Sequence, residues 1–239
     1  AIKAWLTSRP DAVKIAAEVD AIMVEGFETN QLNTIKVHLK LESLLKENPV
    51  KYMKQLQPRI IAWQSKGICA LYSHCFKNIK QRFKSMLKQN VIYTDGMTPD
   101  NLGERCRNVQ IKPTYNFVEN DLTKQDRQTD HNLIDFEMAI YIKLGADKNL
   151  IESWLRVHKN WRARGTYIVM HGDAMRLTGQ ATTALGNAIV NLICHMDLVE
   201  RLSTRLILML ILGDDNAFLV DGEIDTVTLR RWIADKCNM

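Results

Sequence analysis

The sequence predicts an α+β fold, on three observations. Arg205–Leu212 and Ala217–Val220 are apolar runs around the polar break Gly213-Asp214-Asp215. Too short for a buried helix plus loop, this pattern reads as a buried β-hairpin with two aspartates at its tip. Residues 130–144 and 180–202 carry apolar side chains at helical spacing, Leu133, Phe136, Ile140 and Leu144 in the first and Ala181, Ala184, Leu185, Ala188, Leu192, Met196 and Val199 in the second. Strands and helices mix without the regular alternation that builds a parallel α/β sheet.

Along the chain, residues 1–35 read as mixed helix broken at Arg9-Pro10-Asp11. Residues 36–61 are basic and end in Gln57-Pro58-Arg59-Ile60-Ile61, a loop entering a short strand. Residues 66–90 read as helix, and Asp95-Gly96 and Thr98-Pro99-Asp100 as turns. Residues 115–121 form a strand running into Asp121. The helix over 130–144 stops at Gly145, a suitable C-cap, and Asn149 caps a further helix through His158. Thr166–Met170 reads as a strand and His171-Gly172-Asp173 as a turn.

Composition bounds the function classes. The 239 residues are 46% hydrophobic and 25% charged, which suits a folded chain with a sizeable core. The net charge of +5 fits a phosphate-rich partner, and Lys and Arg gather in residues 36–88. On charge alone that stretch is read as a solvated helix face, with a nucleic-acid groove as the alternative. The five cysteines are scattered and lack a CxxC pair, and the six histidines form no HExxH, so reduced thiols and no structural zinc are expected. The longest apolar run, Leu206 to Leu212, has seven residues, so no membrane anchor is expected. The initial Ala1 and a helical pattern still running at Met239 suggest a piece of a longer polypeptide.

Adjacent carboxylates repel each other, and a divalent cation relieves that repulsion. If the strand ending at Asp121 lies beside the hairpin, Asp121 and Asp214 can share metal ions. Taken alone, Gly213-Asp214-Asp215 reads more readily as a surface turn. Likewise Thr178-Gly179-Gln180 reads as a glycine loop feeding a helix, where Thr183 and Asn187 share a face. Both side chains can hydrogen-bond a sugar hydroxyl, or simply belong to small-residue helix packing.

Taken together the segments resemble the viral RNA-dependent RNA polymerases. Asp121-x-x-x-x-Asp126, Gly179-x-x-x-Thr183-x-x-x-Asn187 and Gly213-Asp214-Asp215 are similar to motifs A, B and C in order and separation. Lys40-Leu41-Glu42, Lys46 and Pro58-Arg59-Ile60-Ile61 resemble motif F, and Leu229–Cys237 resembles the helix opening motif D. The run Gly213-Asp214-Asp215-Asn216 points to the alphavirus-like group. Three positions depart from the usual pattern: Thr178 where Ser is common, Gln125 where an aromatic is common, and Arg127-Gln128-Thr129 in place of Lys-Ser-Gln.

The resemblance implies a right-hand polymerase palm, an antiparallel sheet with packed helices, plus fingers elements and no thumb. Residues 1–114 would be fingers-like with motif F, and residues 115–239 the palm with motifs A, B, C and the start of D. It implies template-directed nucleotidyl transfer by a two-metal mechanism, with Asp121, Asp214 and Asp215 as catalytic metal ligands for magnesium and manganese as an alternative. Asp126 and Asn187 would sense the ribose 2′-hydroxyl with help from Thr183. Gly179 would give the motif B loop room to move, and Arg59 with Lys46 would hold the triphosphate. Implied partners are RNA template, nascent RNA, nucleoside triphosphates and other domains of a replicase polyprotein, in a viral replication complex of the host cytoplasm. The alternatives are a reverse transcriptase and a polymerase-like RNA-binding module without turnover. Leu212-Gly213 at the hairpin and Asp126 in motif A speak against the first, the acidic triad against the second.

Overall fold

Two four-stranded sheets organise the chain in a computed structural model that describes residues 7, 10–25, 32–39, 60–121, 128–165, 169–202 and 204–232. Among these residues the elements are α1 (Ala12–Glu25), β1 (Thr34–Leu39), β2 (Ile60–Trp63), α2 (Lys66–Met86), β3 (Val91–Tyr93), α3 (Pro99–Cys106), β4 (Tyr115–Asp121), α4 (His131–Lys143), α5 (Lys148–Arg156), β5 (Trp161–Arg164), β6 (Val169–Gly172), α6 (Thr183–Arg201), β7 (Arg205–Leu212), β8 (Asp215–Asp221) and α7 (Thr226–Trp232). The first sheet has the order β2-β1-β5-β6 and the second β3-β7-β8-β4.

The α+β class holds, but the expected purely antiparallel sheet does not. β1 runs parallel to β5, and β3 runs parallel to β7. Both parallel pairs include a strand of only three or four residues, β5 or β3, and join segments distant in sequence. β1, β3 and β5 are absent from the sequence reading. The helical reading of residues 1–35 gives way to a strand at Thr34, where Thr34, Ile35 and Val37 are β-branched. The helix read over 66–90 ends at Met86, because the chain must turn to bring Val91 beside Met209.

Helix ends follow short polar side chains. Ser65 accepts from the Ile68 N–H, Thr98 from Asn101, Asp130 from Leu133 and Asp147 from Leu150. Asp147, rather than Asn149, therefore caps α5. Thr98-Pro99-Asp100, read as a turn, is the N-cap and first turn of α3. Gly145 follows α4 with φ 87°, as the C-cap reading requires. Of the strand read over 166–170, residues 166–168 lie outside the described residues, and β6 runs from Val169 through Gly172, into the segment read as a turn; α7 starts at Thr226, earlier than the motif D match.

α2 buries Ile68, Tyr72, Phe76, Ile79 and Phe83, one apolar stripe at helical spacing. Phe76 sits between Tyr141 and Trp154, with ring centroids 5.4 and 5.1 Å away. This aromatic group joins α2, α4 and α5 in one core with the inner faces of β7 and β8, where Met209, Ile211, Phe218 and Val220 are buried. A smaller core of Ile35, Trp161, Ala163 and Leu177 closes the first sheet. The basic residues of α2 largely fasten the helix to its neighbours. Lys66 pairs with Asp11, Lys80 lies 2.5 Å from Asp95, and Arg82 donates to the Leu144 carbonyl at 2.8 Å. No described helix is long and apolar enough to cross a membrane.

One ion pair lies inside the core. Arg176 and Glu137 side chains are each 1% exposed; Arg176 Nη1 donates to Glu137 Oε1 at 3.3 Å and Nη2 closes a second, short contact to Oε2. The Tyr141 hydroxyl also donates to Glu137. Gly186 of α6 leaves room for the pair, since a Cβ there would lie 2.5 Å from the Glu137 oxygens. The pair thereby joins α4, α6 and the segment just before Thr178. Removing one partner of a buried pair leaves the other charge uncompensated. Glu137→Ala is expected to cost about 3–5 kcal/mol in denaturant unfolding; a loss below ~1 kcal/mol would contradict this placement.

Burial also sets a pH limit. His158 and His195 are buried, and desolvation holds both imidazoles below the ordinary value of 6.5. Unfolding exposes them to water, so the unfolded chain binds more protons. Their contribution to stability is complete above 6.5 and is lost as pH falls below it toward the depressed folded values. The unfolding free energy should drop between about pH 7.5 and pH 5.5, by at most ~1.4 kcal/mol per pH unit per histidine, and the melting temperature should fall with it. His158→Gln should flatten that drop, and an unchanged slope would contradict it.

Candidate active site

The turn between β7 and β8 is short because Leu212 pairs with Asp215, leaving Gly213 and Asp214 as the two loop residues. Gly213 has φ 63°. A positive φ at the first loop residue matches the twist of the flanking strands, and only glycine adopts it without strain. No atom lies within 4 Å of where a Gly213 Cβ would stand, so backbone conformation alone selects glycine here. Gly213 is buried, Asp214 half-buried and Asp215 exposed.

β4 runs antiparallel to β8 through seven consecutive pairs, from Tyr115↔Asp221 to Asp121↔Asp215. The expected neighbour relation between the strand ending at Asp121 and the hairpin is therefore present in the backbone. In the backbone, Asp121 stands opposite Asp215, next to the Gly213-Asp214 turn, at one end of the second sheet. Among the described residues no three His, Cys, Asp or Glu side chains converge on one point, and the Asp121 carboxylate falls outside them. The donor set still suits a hard divalent cation: three carboxylates and no thiol or imidazole.

α6 approaches the turn from below. Asn191, 0% exposed by residue, donates from Nδ2 to the Gly213 carbonyl at 3.1 Å and to the Asp214 carbonyl at 2.8 Å. Neither Asn191 nor His195 was singled out from the sequence. The available signal was a polar line, Asn187, Asn191 and His195, spaced four apart in the largely apolar stretch from Ala184 to Met196. The Arg176–Glu137 pair, 39 residues apart, left no such signal.

The segment before α6 is docked on the first sheet. The Gly179 N–H donates to the Ala62 carbonyl at 3.2 Å, and a Cβ at Gly179 would lie 2.6 Å from Trp63 Cβ. Glycine is needed there for the close approach to β2. The Thr183 hydroxyl donates to the Leu177 carbonyl at 2.6 Å and folds the loop onto the first turn of α6. Asn187 follows one turn on and is 3% exposed. Asp126, Arg59 and Lys46 lie outside the described residues; Ile60 and Ile61, which follow Arg59, are in β2.

Comparison with known proteins bears on the same segments. The family model for RNA dependent RNA polymerase matches residues 12–239. The chain is 23% identical over 194 residues to Replicase polyprotein 1ab of Beet yellows virus (isolate Ukraine), a match covering 80% of this chain and 6% of that protein. It is 25% identical over 173 residues to RNA-directed RNA polymerase 2a of Olive latent virus 2 (isolate Italy), covering 70% of this chain and 21% of that protein. It is 24% identical over 182 residues to RNA-directed RNA polymerase 2a of Alfalfa mosaic virus, covering 74% and 22%. The chain thus spans less than a quarter of the length of these relatives. With the family matched across almost its whole length, the chain belongs to the RNA-dependent RNA polymerases of viral replicases, in the alphavirus-like supergroup.

Proposed function

We propose that this chain is the fingers-and-palm core of a viral replicase that joins ribonucleotides in template order. The oxygen of an RNA 3′-hydroxyl would form a bond to the α-phosphorus of a nucleoside triphosphate as its O–H bond breaks and the proton passes to solvent; the bond from the α-phosphorus to the bridging oxygen of the β-phosphate breaks, and pyrophosphate leaves. The observation that carries this reading is the β4–β8 register, which sets Asp121 opposite Asp215 beside the Gly213-Asp214 turn. Residues directly opposite on antiparallel strands stand about 4.5–5.5 Å apart at Cβ, within reach of a shared cation.

Asp121 and Asp214 would hold magnesium, with Asp215 nearby and manganese as a substitute. The bound ions would supply charge neutralisation at the phosphates during transfer. Asn187 and Asp126 would read the ribose 2′-hydroxyl, with Thr183 shaping the loop. Gly179 would set how closely the motif B loop approaches template and nucleotide. Arg59 and Lys46 would hold the triphosphate through charge-assisted hydrogen bonds.

Residues 1–114 would serve as fingers and 115–239 as palm, with two exchanges between them. β3 is contributed to the catalytic sheet from the first part, and β5 and β6 join β1 and β2 from the second. RNA template, nascent RNA, nucleotides and the remaining replicase domains would be the partners, in a replication complex of the host cytoplasm.

Template-directed incorporation of labelled ribonucleotides with magnesium, in the complete replicase polymerase carrying this chain, tests the reading. Asp214→Asn should lower the rate by at least ~100-fold, equivalent to ~3 kcal/mol of barrier. Near-normal incorporation by that variant would overturn the assignment, and RNA binding without incorporation by the parent would favour a binding module. Asn187→Ala should cut the preference for ribo- over deoxyribonucleotides by ~10-fold, the worth of one hydrogen bond in a buried site. An unchanged preference would remove Asn187 from sugar selection.

A further inference from the structure

Behind the aspartate turn lies a closed ring of hydrogen bonds between α6 and β8. Asn216, the residue after Asp215, is 4% exposed and donates from Nδ2 to Asn191 Oδ1 at 2.9 Å. The same amide nitrogen lies 3.0 Å from His195 Nε2. His195 Nδ1 lies 2.8 Å from the Asn191 carbonyl oxygen, which can only accept. Nδ1 therefore carries the proton, and Nε2 is left as the acceptor for Asn216. Each amide nitrogen thus gives two hydrogen bonds, Asn191 to the two turn carbonyls and Asn216 to Asn191 and His195.

We propose that Asn191, held by Asn216 and His195, is the positioning residue that sets the backbone of the Gly213-Asp214 turn and thereby aims the Asp214 carboxylate. The inference rests on the reading of Asp214 as a metal ligand given above.

Three features argue that the ring exists for orientation rather than for stability. Asn216 Oδ1 is buried with no hydrogen-bond partner among the described residues, a cost that a shape-matched apolar residue would not carry. Asn191 and His195 are both fully buried on a helix whose other core positions, apart from Asn187, are apolar or glycine, among them Leu185, Ile189, Leu198 and Val199. The carbonyls that Asn191 takes belong to the loop residues Gly213 and Asp214, beyond the Leu212↔Asp215 pair that ends the ladder.

The ring is also braced from both sides. Asn216 is paired through its backbone register to Ile211 on one side and Asn120 on the other. The His195 ring packs against Phe218 and Trp232, with centroids 5.9 and 6.3 Å away. Trp232 is itself tied to α6 through Nε1 donating to Asp197 at 3.1 Å. Burial, which keeps the imidazole below its ordinary pKa, favours the neutral form that the ring requires.

The test uses the complete polymerase and two readouts. Asn191→Leu fills the same space without its donors. It should raise amide exchange at residues 213–216 by ~10-fold, read by hydrogen-exchange mass spectrometry, and lower kcat by ~10-fold with KM for nucleotide within ~2-fold. His195→Leu should lose kcat similarly, and His195→Gln, which restores an acceptor for Asn216, should recover most of it. If Asn191→Leu does not fold, Asn191→Asp replaces it, since it keeps the volume and acceptor but loses both donors to the turn. Unchanged exchange at residues 213–216 in a folded Asn191 variant would overturn the proposal, as would a kcat loss in His195→Leu that His195→Gln does not recover. Exchange is measured without turnover. An inactive parent enzyme would therefore sink the proposed function while the exchange result still decides the role of Asn191.

Discussion

The register of β8 between β4 and β7 is the constraint on which the site depends. Along an antiparallel pair, a slip of one residue sends every side chain to the opposite face. Here the inner face holds Phe218 and Val220 of β8 with Met209 and Ile211 of β7, all at most 1% exposed. Slipping β8 would drive these apolar side chains toward water and draw Ala217 and Leu219 into a core shaped for larger or differently placed groups. Burying a side chain such as Phe or Val is worth about 1.5–3 kcal/mol, so the wrong register costs several kcal/mol. The hydrophobic core therefore fixes the register that sets Asp121 opposite Asp215 in the backbone.

α6 transmits this placement to the rest of the molecule. At its start, the loop folded by Thr183 and docked through Gly179 on Ala62 and Trp63 joins it to the first sheet. In its first half Gly186 packs on the Arg176–Glu137 pair, which fixes the loop's entry to α4. One turn past Asn187, Asn191 reaches the aspartate turn. A single rigid helix thus relates the loop proposed to meet the nucleotide sugar to the turn proposed to hold the metal. Their separation is set by whole helical turns of 5.4 Å. Both polar contacts are buried, where an unmet donor or charge costs more than at the surface, so each has one preferred arrangement.

What the sequence revealed follows from range. The hairpin, β4 and the two long helices α4 and α6 carry their own periodicity and turn chemistry, and all lie close to where the pattern put them. β1, β3 and β5 did not show themselves. Val91–Tyr93 is three residues long and is a strand only because Met209–Ile211 lies beside it. Trp161–Arg164 alternates buried and exposed, but with two arginines on its outer face it resembles a charged loop. The strand ending at Asp121 is expected beside the hairpin with Asp121 facing Asp214, and the register sets it opposite the next residue, Asp215; Asn191 needed the folded partner to gain meaning. Its two acceptors are backbone carbonyls, and backbone carbonyls leave no mark in a sequence.

The account stands on the proposal that Asp121 and Asp214, with Asp215 nearby, hold divalent cations at the end of the second sheet. Manganese binding to the complete polymerase, followed by electron paramagnetic resonance without nucleotide or RNA, addresses this directly. Asp121→Asn and Asp214→Asn should each weaken manganese binding by ~10-fold or more, since loss of a ligand costs at least as much as loss of the groups that orient it. Undiminished binding in a folded Asp121→Asn variant would contradict the account, because the strand register would then join two carboxylates that do not share an ion.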